Sequence, residues 1–327
     1  MNWGPCEALS GGARLGTRTL PRGSTLSGSA RAPSKLDARI AIVGSGVVGF
    51  AAGLGLLRSG ADVLFVDVNS ELLRRLGHLG YGTRHIDQVE LTDVEIVLIC
   101  VSTPTIDGRI SLANLEDAAD SVGKALKTAI RKRPDLYRVV SIRSTVPPGT
   151  TASMVIPVIE AASGARAGDD FGVAVNPEYL REARANQDSA SPRATVIGAI
   201  NDESFARIQN LYRGVGCPIY RLSIEQAEFQ KYIHNLFNAT KIAFFNEMRA
   251  VAAKLELEVP DVFSSVLATA EGIWNPAYGT RDFGPFAGSC LPKDTSAFLA
   301  FACADGIDMP ILTAVIEANA RYASRRT

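Results

Sequence analysis

Apolar and polar positions along the chain follow two regimes. From Arg39 to Leu222, short apolar runs alternate with longer amphipathic ones. "ARIAIV" and "ADVLFVD" read as buried strands, as do "EIVLICV" (Glu95 to Val101), "YRVVSIRS" (Tyr137 to Ser144) and "FGVAVN" (Phe171 to Asn176). Helical spacing predicts helices after the first strand, over about Leu112 to Ile130, from about Thr150, and after Asn201. Further strands are predicted near Thr195 to Ala199 and at "PIYRL". Strand–helix alternation of this kind predicts an α/β fold, a doubly wound parallel sheet with helices on both faces.

The second regime begins at Ser223. No Gly or Pro occurs from Ile219 to Val259, and Ser223 with Gln226 forms a capping box, which predicts one long helix. Its apolar positions Ile224, Ala227, Ile233, Leu236 and Phe237 predict core or subunit interface. Shorter helices follow from Pro260, then a cysteine-bearing loop, then helices from about Thr295 and Pro310. The predicted division is a tail (1–36), a sheet domain (37–222) and an all-α domain built on the long helix (223–327). The tail is rich in Gly, Ser and Arg, nearly free of acid and without apolar periodicity, so it is expected to be disordered. A transit peptide has a similar composition.

Composition narrows the partners. With 34 basic and 34 acidic residues in 327, no charge excess draws the chain to nucleic acid or to an anionic membrane. The apolar runs are shorter than the roughly 20 residues of a membrane span. Five cysteines without a CxxC pair fit a reducing, cytoplasmic setting and predict no metal site.

Gly44, Gly46 and Gly49 form G-x-G-x-x-G between the first strand and its helix, with Val47 and Val48 opening that helix. In this context the glycines let backbone amides approach a pyrophosphate at a helix N-terminus, the Rossmann arrangement. Asp67 closes the second strand, where a carboxylate accepts from a ribose 2′-hydroxyl and repels a 2′-phosphate; NAD is the expected cofactor. "VSTPT", with Ser102, Thr103 and Pro104, and "STVPPGT", with Thr145, fall at strand ends where cofactor contacts lie, although turn chemistry alone accounts for such residues.

The loop "FGPFAGSCLPKD" sets one thiol, Cys290, among glycine and proline, with Lys293 and Asp294 behind it. A thiol reacts as thiolate, which a nearby cation favours; Lys293 and Lys231 are candidates. A free cysteine is more commonly a small buried hydrophobe, the reading given to Cys100 in a strand and to Cys303 on an apolar helix. Lys231 and Asn235 are four apart and share one helix face.

"STVPPGT", "NPEYLREA", "KYIHNLFNATKIAFFNE" and "GSCLPKD" together, in this order, resemble motifs of the UDP-glucose/GDP-mannose dehydrogenase family, over Arg39 to the C-terminus. The resemblance implies a four-electron oxidation of a nucleotide-sugar C6 alcohol to the acid, with NAD as oxidant and Cys290 as the nucleophile that forms a thiohemiacetal and then a thioester. It further implies that Lys231 and Asn235 stabilise the developing oxyanion, and that Asp294, through water shared with Thr145, or Glu178 moves the proton. Glu178, Tyr179 and Leu180, with Lys231 and Asn235, are the implied substrate contacts; Glu182 and Lys293 join the cofactor set. In the family the long helix pairs between subunits, which implies a homodimer. Read without the resemblance, Glu178 and Glu182 are solvated loop carboxylates, Asp294 a helix N-cap and Lys231 a surface cation.

Three features depart from the family pattern. The chain ends at "ARYASRRT", where relatives continue into a nucleotide-binding third domain. The stretch from Asp67 to Glu95 is short, with Leu72 where relatives carry a basic residue. The cysteine loop reads "PFAGSC" instead of Gly-Gly-Ser-Cys, and Trp274 replaces an arginine that some relatives lend to the neighbouring site. Alternative readings are a non-catalytic NAD-binding subunit and a two-electron β-hydroxyacid-type dehydrogenase, which has no use for Cys290.

Overall fold

The structure, a computed structural model, describes residues 38–179, 192–280 and 284–324. The predicted tail, Leu180 and Glu182 lie outside the described residues.

The chain opens with β1 (Arg39–Val43), α1 (Val47–Arg58), β2 (Asp62–Asp67), α2 (Ser70–His78), β3 (Gly82–His85) and β4 (Ile96–Ile99). A small hairpin, β5 (Thr105–Ile106) and β6 (Arg109–Ile110), leads into α3 (Ala113–Lys132) and β7 (Arg138–Ile142). A π-helical turn at Thr151–Val155 runs into α4 (Ile156–Ser163), followed by β8 (Phe171–Val175), β9 (Thr195–Ala199), α5 (Asp202–Asn210) and β10 (Ile219–Leu222). The helical part comprises α6 (Ile224–Lys254), α7 (Pro260–Thr269), α8 (Glu271–Trp274), α9 (Leu291–Ala304) and α10 (Pro310–Ser324).

Eight strands form one sheet in the order β10-β9-β8-β7-β4-β1-β2-β3. Alternation along β1 assigns its faces: Ile40 and Ile42 pack with Ala52 and Leu56 of α1 and Ile208 of α5, while Ala41 and Val43 pack with Leu115, Val122 and Leu126 of α3. Burying each large apolar side chain contributes about 1.5–3 kcal/mol, and with both faces covered β4 and β7 are buried throughout. The expected all-parallel sheet needs one correction. β8 and β9 pair antiparallel, Ala174 opposite Ala199 and Val175 opposite Gly198, so β9 and β10 run against the rest. Hydrophobic alternation is blind to strand direction, and edge strands of large α/β sheets tolerate reversal. The pattern also passes over β3, whose sequence GTRH is polar and half-exposed at the sheet edge.

Beyond β1 the chain goes to β2 and β3 on one side and returns to β4 on the other, so a crevice opens between the C-terminal ends of β1 and β4. One buried cation braces the underside. The Arg138 guanidinium, fully buried, donates to the carbonyls of Leu91 (2.9 Å), Thr92 (2.5 Å), Arg133 (3.1 Å) and Leu136 (2.8 Å).

The long helix matches its expected start, with the Ser223–Gln226 capping box formed. Ile224 and Ala227 of its predicted apolar set are buried, whereas Ile233, Leu236 and Phe237 are 50–62% exposed. Buried charge does the docking instead. Glu228 accepts from the amides of Gly149 (2.5 Å) and Thr151 (2.8 Å), and Glu247 from those of Ile311 (2.6 Å) and Leu312 (3.1 Å). Each carboxylate caps a helix start, where unpaired N–H groups and the backbone dipole favour an anion.

Replacing Arg138 by Met removes four hydrogen bonds, and of the carbonyls involved those of Leu91 and Arg133 keep a backbone donor, from Val94 and Leu136. Arg138→Met is expected to lower stability by about 3 kcal/mol or more, read as a reduced urea midpoint at unchanged slope.

Candidate active site

The glycine turn shapes the crevice. Gly44 has φ +89°, and a Cβ there would stand 2.8 Å from the backbone of Cys100 and Val101; a Cβ on Gly49 would stand 1.9 Å from the Gly44 carbonyl oxygen. These two positions therefore fix the turn against β4. Gly46 differs, since a Cβ there meets nothing within 4 Å. The open side faces the crevice, and no side chain caps the first turn of α1, so the amides at Val47 and Val48 remain directed at it. The Asp67 carboxylate accepts from the Ser45 amide (2.7 Å) and the Asn69 amide (2.9 Å), which fixes it at the crevice rim.

The crevice holds about 600 Å³ and is lined by Gly44, Gly46, Val47, Val48, Asp67, Ser102, Thr103, Thr145 and Glu178, all predicted site residues. Its far wall is tied together: Thr103 Oγ1 donates to the Thr145 carbonyl (2.8 Å), and Asn114 Nδ2 donates to the Ser102 carbonyl and hydroxyl, both 3.1 Å. Pro104 does not line the crevice; its carbonyl accepts from the Ser111 amide (2.7 Å), closing the β5–β6 hairpin. Gly49 is buried beneath the turn, so its role is packing. The turn, the uncapped helix start and the fixed rim carboxylate fit a dinucleotide.

A second cavity of about 520 Å³ adjoins on the side of α5 and α6, lined by Pro177, Tyr179, Tyr212, Gln230 and His234 among others. Arg143 and Glu178 line both spaces. Behind Glu178, Lys231 is 5% exposed, so the surface-cation reading is overturned. Its Nζ donates to the Glu178 carbonyl, stands 3.5 Å from Glu178 Oε1 and lies 5.2 Å over the Tyr179 ring. Burial pushes the Lys231 pKa down, the Glu178 carboxylate opposes this, and Arg143 adds to it. The Tyr179 hydroxyl donates to Gln230, and its ring packs on His234 with centroids 4.7 Å apart. Burial, then Lys231, lowers the His234 pKa. Asn235 is exposed and lines neither cavity.

The thiol group stands apart from both spaces. Cys290 is exposed at the N-cap of α9, with Sγ 3.7 Å from the Ser289 hydroxyl, and lines neither cavity. Its carbonyl accepts from the Asp294 amide (2.8 Å), while the Asp294 carboxylate pairs with Lys293 on the surface. The two cations expected to serve the thiolate thus have other partners: Lys293 pairs with Asp294, Lys231 with Glu178. Cys303, expected to be buried, is exposed. Cys100 is buried, and burial pushes its thiol up to about 12, which makes it inert. Among the described residues no cluster of His, Cys, Asp and Glu could hold a metal, and no helix is long and apolar enough to cross a membrane.

Sequence reasoning passed over Arg143, Asn176 and Tyr212. Arg143 Nη1 donates to Asn176 Oδ1 (2.6 Å) and to the Tyr212 hydroxyl (3.1 Å). The available signal was a cation directly after a buried strand and directly before "STVPPGT".

Comparison with known proteins agrees with this geometry. Residues 81–215 match the NAD binding domain, and residues 225–321 the central domain, of the UDP-glucose/GDP-mannose dehydrogenase family. A GDP-mannose 6-dehydrogenase of Pseudomonas syringae pv. tomato is 34% identical over 304 residues, covering 86% of this chain and 68% of the relative. The chain belongs to the UDP-glucose/GDP-mannose dehydrogenase family. A UDP-glucose 6-dehydrogenase of Haloferax volcanii is 31% identical, with 86% and 69% covered. The GDP-mannose dehydrogenase of Pseudomonas aeruginosa, solved as a ternary complex, superposes with a TM-score of 0.80 at 31% identity, covering 87% of this chain and 69% of that one. The family's cofactor is NAD, and the crevice between β1 and β4 is where this chain fits it.

Truncating the rim carboxylate releases the Ser45 and Asn69 amides and removes the ribose partner. Asp67→Ala is expected to weaken NAD binding about tenfold or more and to narrow the preference for NAD over NADP, as measured by calorimetric titration with each dinucleotide.

Proposed function

We propose that the chain is an NAD-dependent nucleotide-sugar 6-dehydrogenase that oxidises a primary C6 alcohol to the carboxylate. The observation that carries this reading is the Lys231–Glu178 pair at the inner wall of a dinucleotide crevice: a buried ammonium and a carboxylate beside the space where a hydride acceptor fits. NAD bound there supplies the acceptor for each hydride.

The residues of the chain supply the rest. Glu178 takes the alcohol proton as the first hydride leaves carbon, and Lys231 donates to the oxygen as it bears negative charge, a contribution of about 3 kcal/mol. The Cys290 thiolate adds to the resulting aldehyde, giving a thiohemiacetal whose carbon loses a second hydride and whose hydroxyl loses a proton. Water attacks the thioester carbon, the C–S bond breaks with the Cys290 thiolate as leaving group, and the carboxylate product is released. Asp294, with water and Thr145, is the proton acceptor proposed for this hydrolysis. Two NAD are reduced per alcohol consumed. GDP-mannose and UDP-glucose are the first substrates to test, being those named for relatives of which the chain spans about two thirds.

A homodimer is the proposed assembly. Phe229, Ile233, Leu236 and Phe237 of α6 leave an exposed apolar face on a 31-residue helix, more than a solitary soluble chain commonly presents. Cytoplasmic residence is supported by four described cysteines, all free. A two-electron oxidation that stops at the aldehyde is the second reading, favoured by the position of Cys290 outside the crevice.

Stoichiometry separates the two readings. With GDP-mannose or UDP-glucose the four-electron route yields two NADH per sugar, and Cys290→Ser halts after the first. One NADH per sugar in both proteins leaves the two-electron route, and no NADH with any nucleotide sugar removes both. Multi-angle light scattering is expected to give twice the mass of one chain, and Phe237→Glu to shift it toward one.

A further inference from the structure

Arg143 follows β7 directly, and its amide donates to the Ile99 carbonyl (2.9 Å), so its backbone is fixed to β4. Its side chain is held in one orientation by two acceptors, Asn176 Oδ1 and the Tyr212 hydroxyl. Asn176, fully buried, has its amide direction fixed because Nδ2 donates to the Val196 carbonyl (2.8 Å) and to Thr195 Oγ1 (3.1 Å). Its Oδ1 therefore faces Arg143 and Tyr212 and accepts from both, each at 2.6 Å. With its proton given to Asn176, the Tyr212 oxygen is free to accept from Arg143 Nη1. The remaining Nε is buried without a hydrogen-bond partner. Arg138 spends its guanidinium on backbone carbonyls alone, whereas Arg143 also lines both cavities, so its charge is presented to them.

Its charge acts on the neighbouring wall. Arg143 and Glu178 are the residues shared by the linings of the two cavities, and the Lys231 ammonium pairs with Glu178. We propose that Arg143 is a positioning residue for the oxidation, its fixed charge keeping the Glu178 carboxylate and the Lys231 ammonium paired with it in place at the wall between the two cavities. This rests on the reading of Lys231 as the oxyanion donor given above. Among the described residues, Lys231 meets Glu178 and Tyr179 from the segment after β8, and the charge of Arg143 at the end of β7 acts on it, as its own charge acts on His234 of the same helix. Burial is the larger cause of the lowered Lys231 pKa and Glu178 opposes it; the Arg143 charge adds to the lowering. A buried ammonium with a loosened proton gives more to an oxygen gaining negative charge.

The test compares Arg143→Gln and Arg143→Lys with the wild-type full chain. Lysine side chains labelled at Cε are titrated by NMR, the Lys231 signal being assigned by its loss in Lys231→Met. Removing the charge is expected to move the Lys231 midpoint to higher pH, while Arg143→Lys, which keeps the charge, stays close to wild type. In NADH production from GDP-mannose or UDP-glucose, Arg143→Gln is expected to lower kcat about tenfold and to shift the alkaline limb upward with the NMR midpoint; Arg143→Lys recovers most of the rate. An unmoved Lys231 midpoint in Arg143→Gln, or equal losses in both variants that follow a lowered Tm with the limb unshifted, overturns the proposal and leaves Arg143 as a brace. Absence of NADH from the wild type overturns the dehydrogenase reading instead, and the NMR titration still decides what Arg143 does to Lys231.

Discussion

The contact between Lys231 and Glu178 joins the two parts of this protein at the place where chemistry is expected. The ammonium is on a helix that begins just after the last strand; the carboxylate and carbonyl it meets are on the segment leaving β8. Neither partner would lie where it does without the other, since a buried charge that loses its partner is expensive. Glu228, one helical turn earlier, meets the turn that carries Thr145. Two charged residues on one face of α6 thus set both strand-end segments relative to a single rigid rod.

α6 uses charge where most helices use an apolar stripe. Its buried residues include Glu228, Lys231 and Glu247, and each engages a different segment: the turn before α4, the loop after β8 and the start of α10. Capping by a buried carboxylate is directional, so it fixes the register of a docked helix more closely than apolar contact does. Its middle apolar positions remain unburied by the chain's own core, and the proposed dimer is what makes use of them.

How much of this was legible in the sequence follows from the range of each interaction. The glycine turn, Asp67 and the capping box are local, within one βαβ unit or one helix turn, and their chemistry follows from spacing. Lys231 was legible as a residue but not as buried, because the group that buries it lies 53 positions away. The same holds for the Arg138 contacts with Leu91 and Thr92, for Glu228 and for the Arg143–Asn176–Tyr212 set, with separations of 33 to 79 residues. Strand direction failed for a similar reason, since the reversal at β9 leaves no trace in hydrophobic alternation. Cys290 is the opposite case. Its loop is conspicuous in sequence, yet the position of the thiol depends on how the C-terminal helices are covered, which local pattern does not record.

The C-terminal helices share a core of very modest size, with Val251, Ala302 and Met309 as its buried members and Leu255, Leu299 and Leu312 packed around them. The sheet beneath has two extensive apolar layers. Backbone amides of α9 and α10 are therefore set to exchange with solvent through local opening, at a free-energy cost well below that of opening β4 or β7. The thiol loop sits on the looser of the two halves, so any ligand that orders it also acts as a fastener for the final third of the chain.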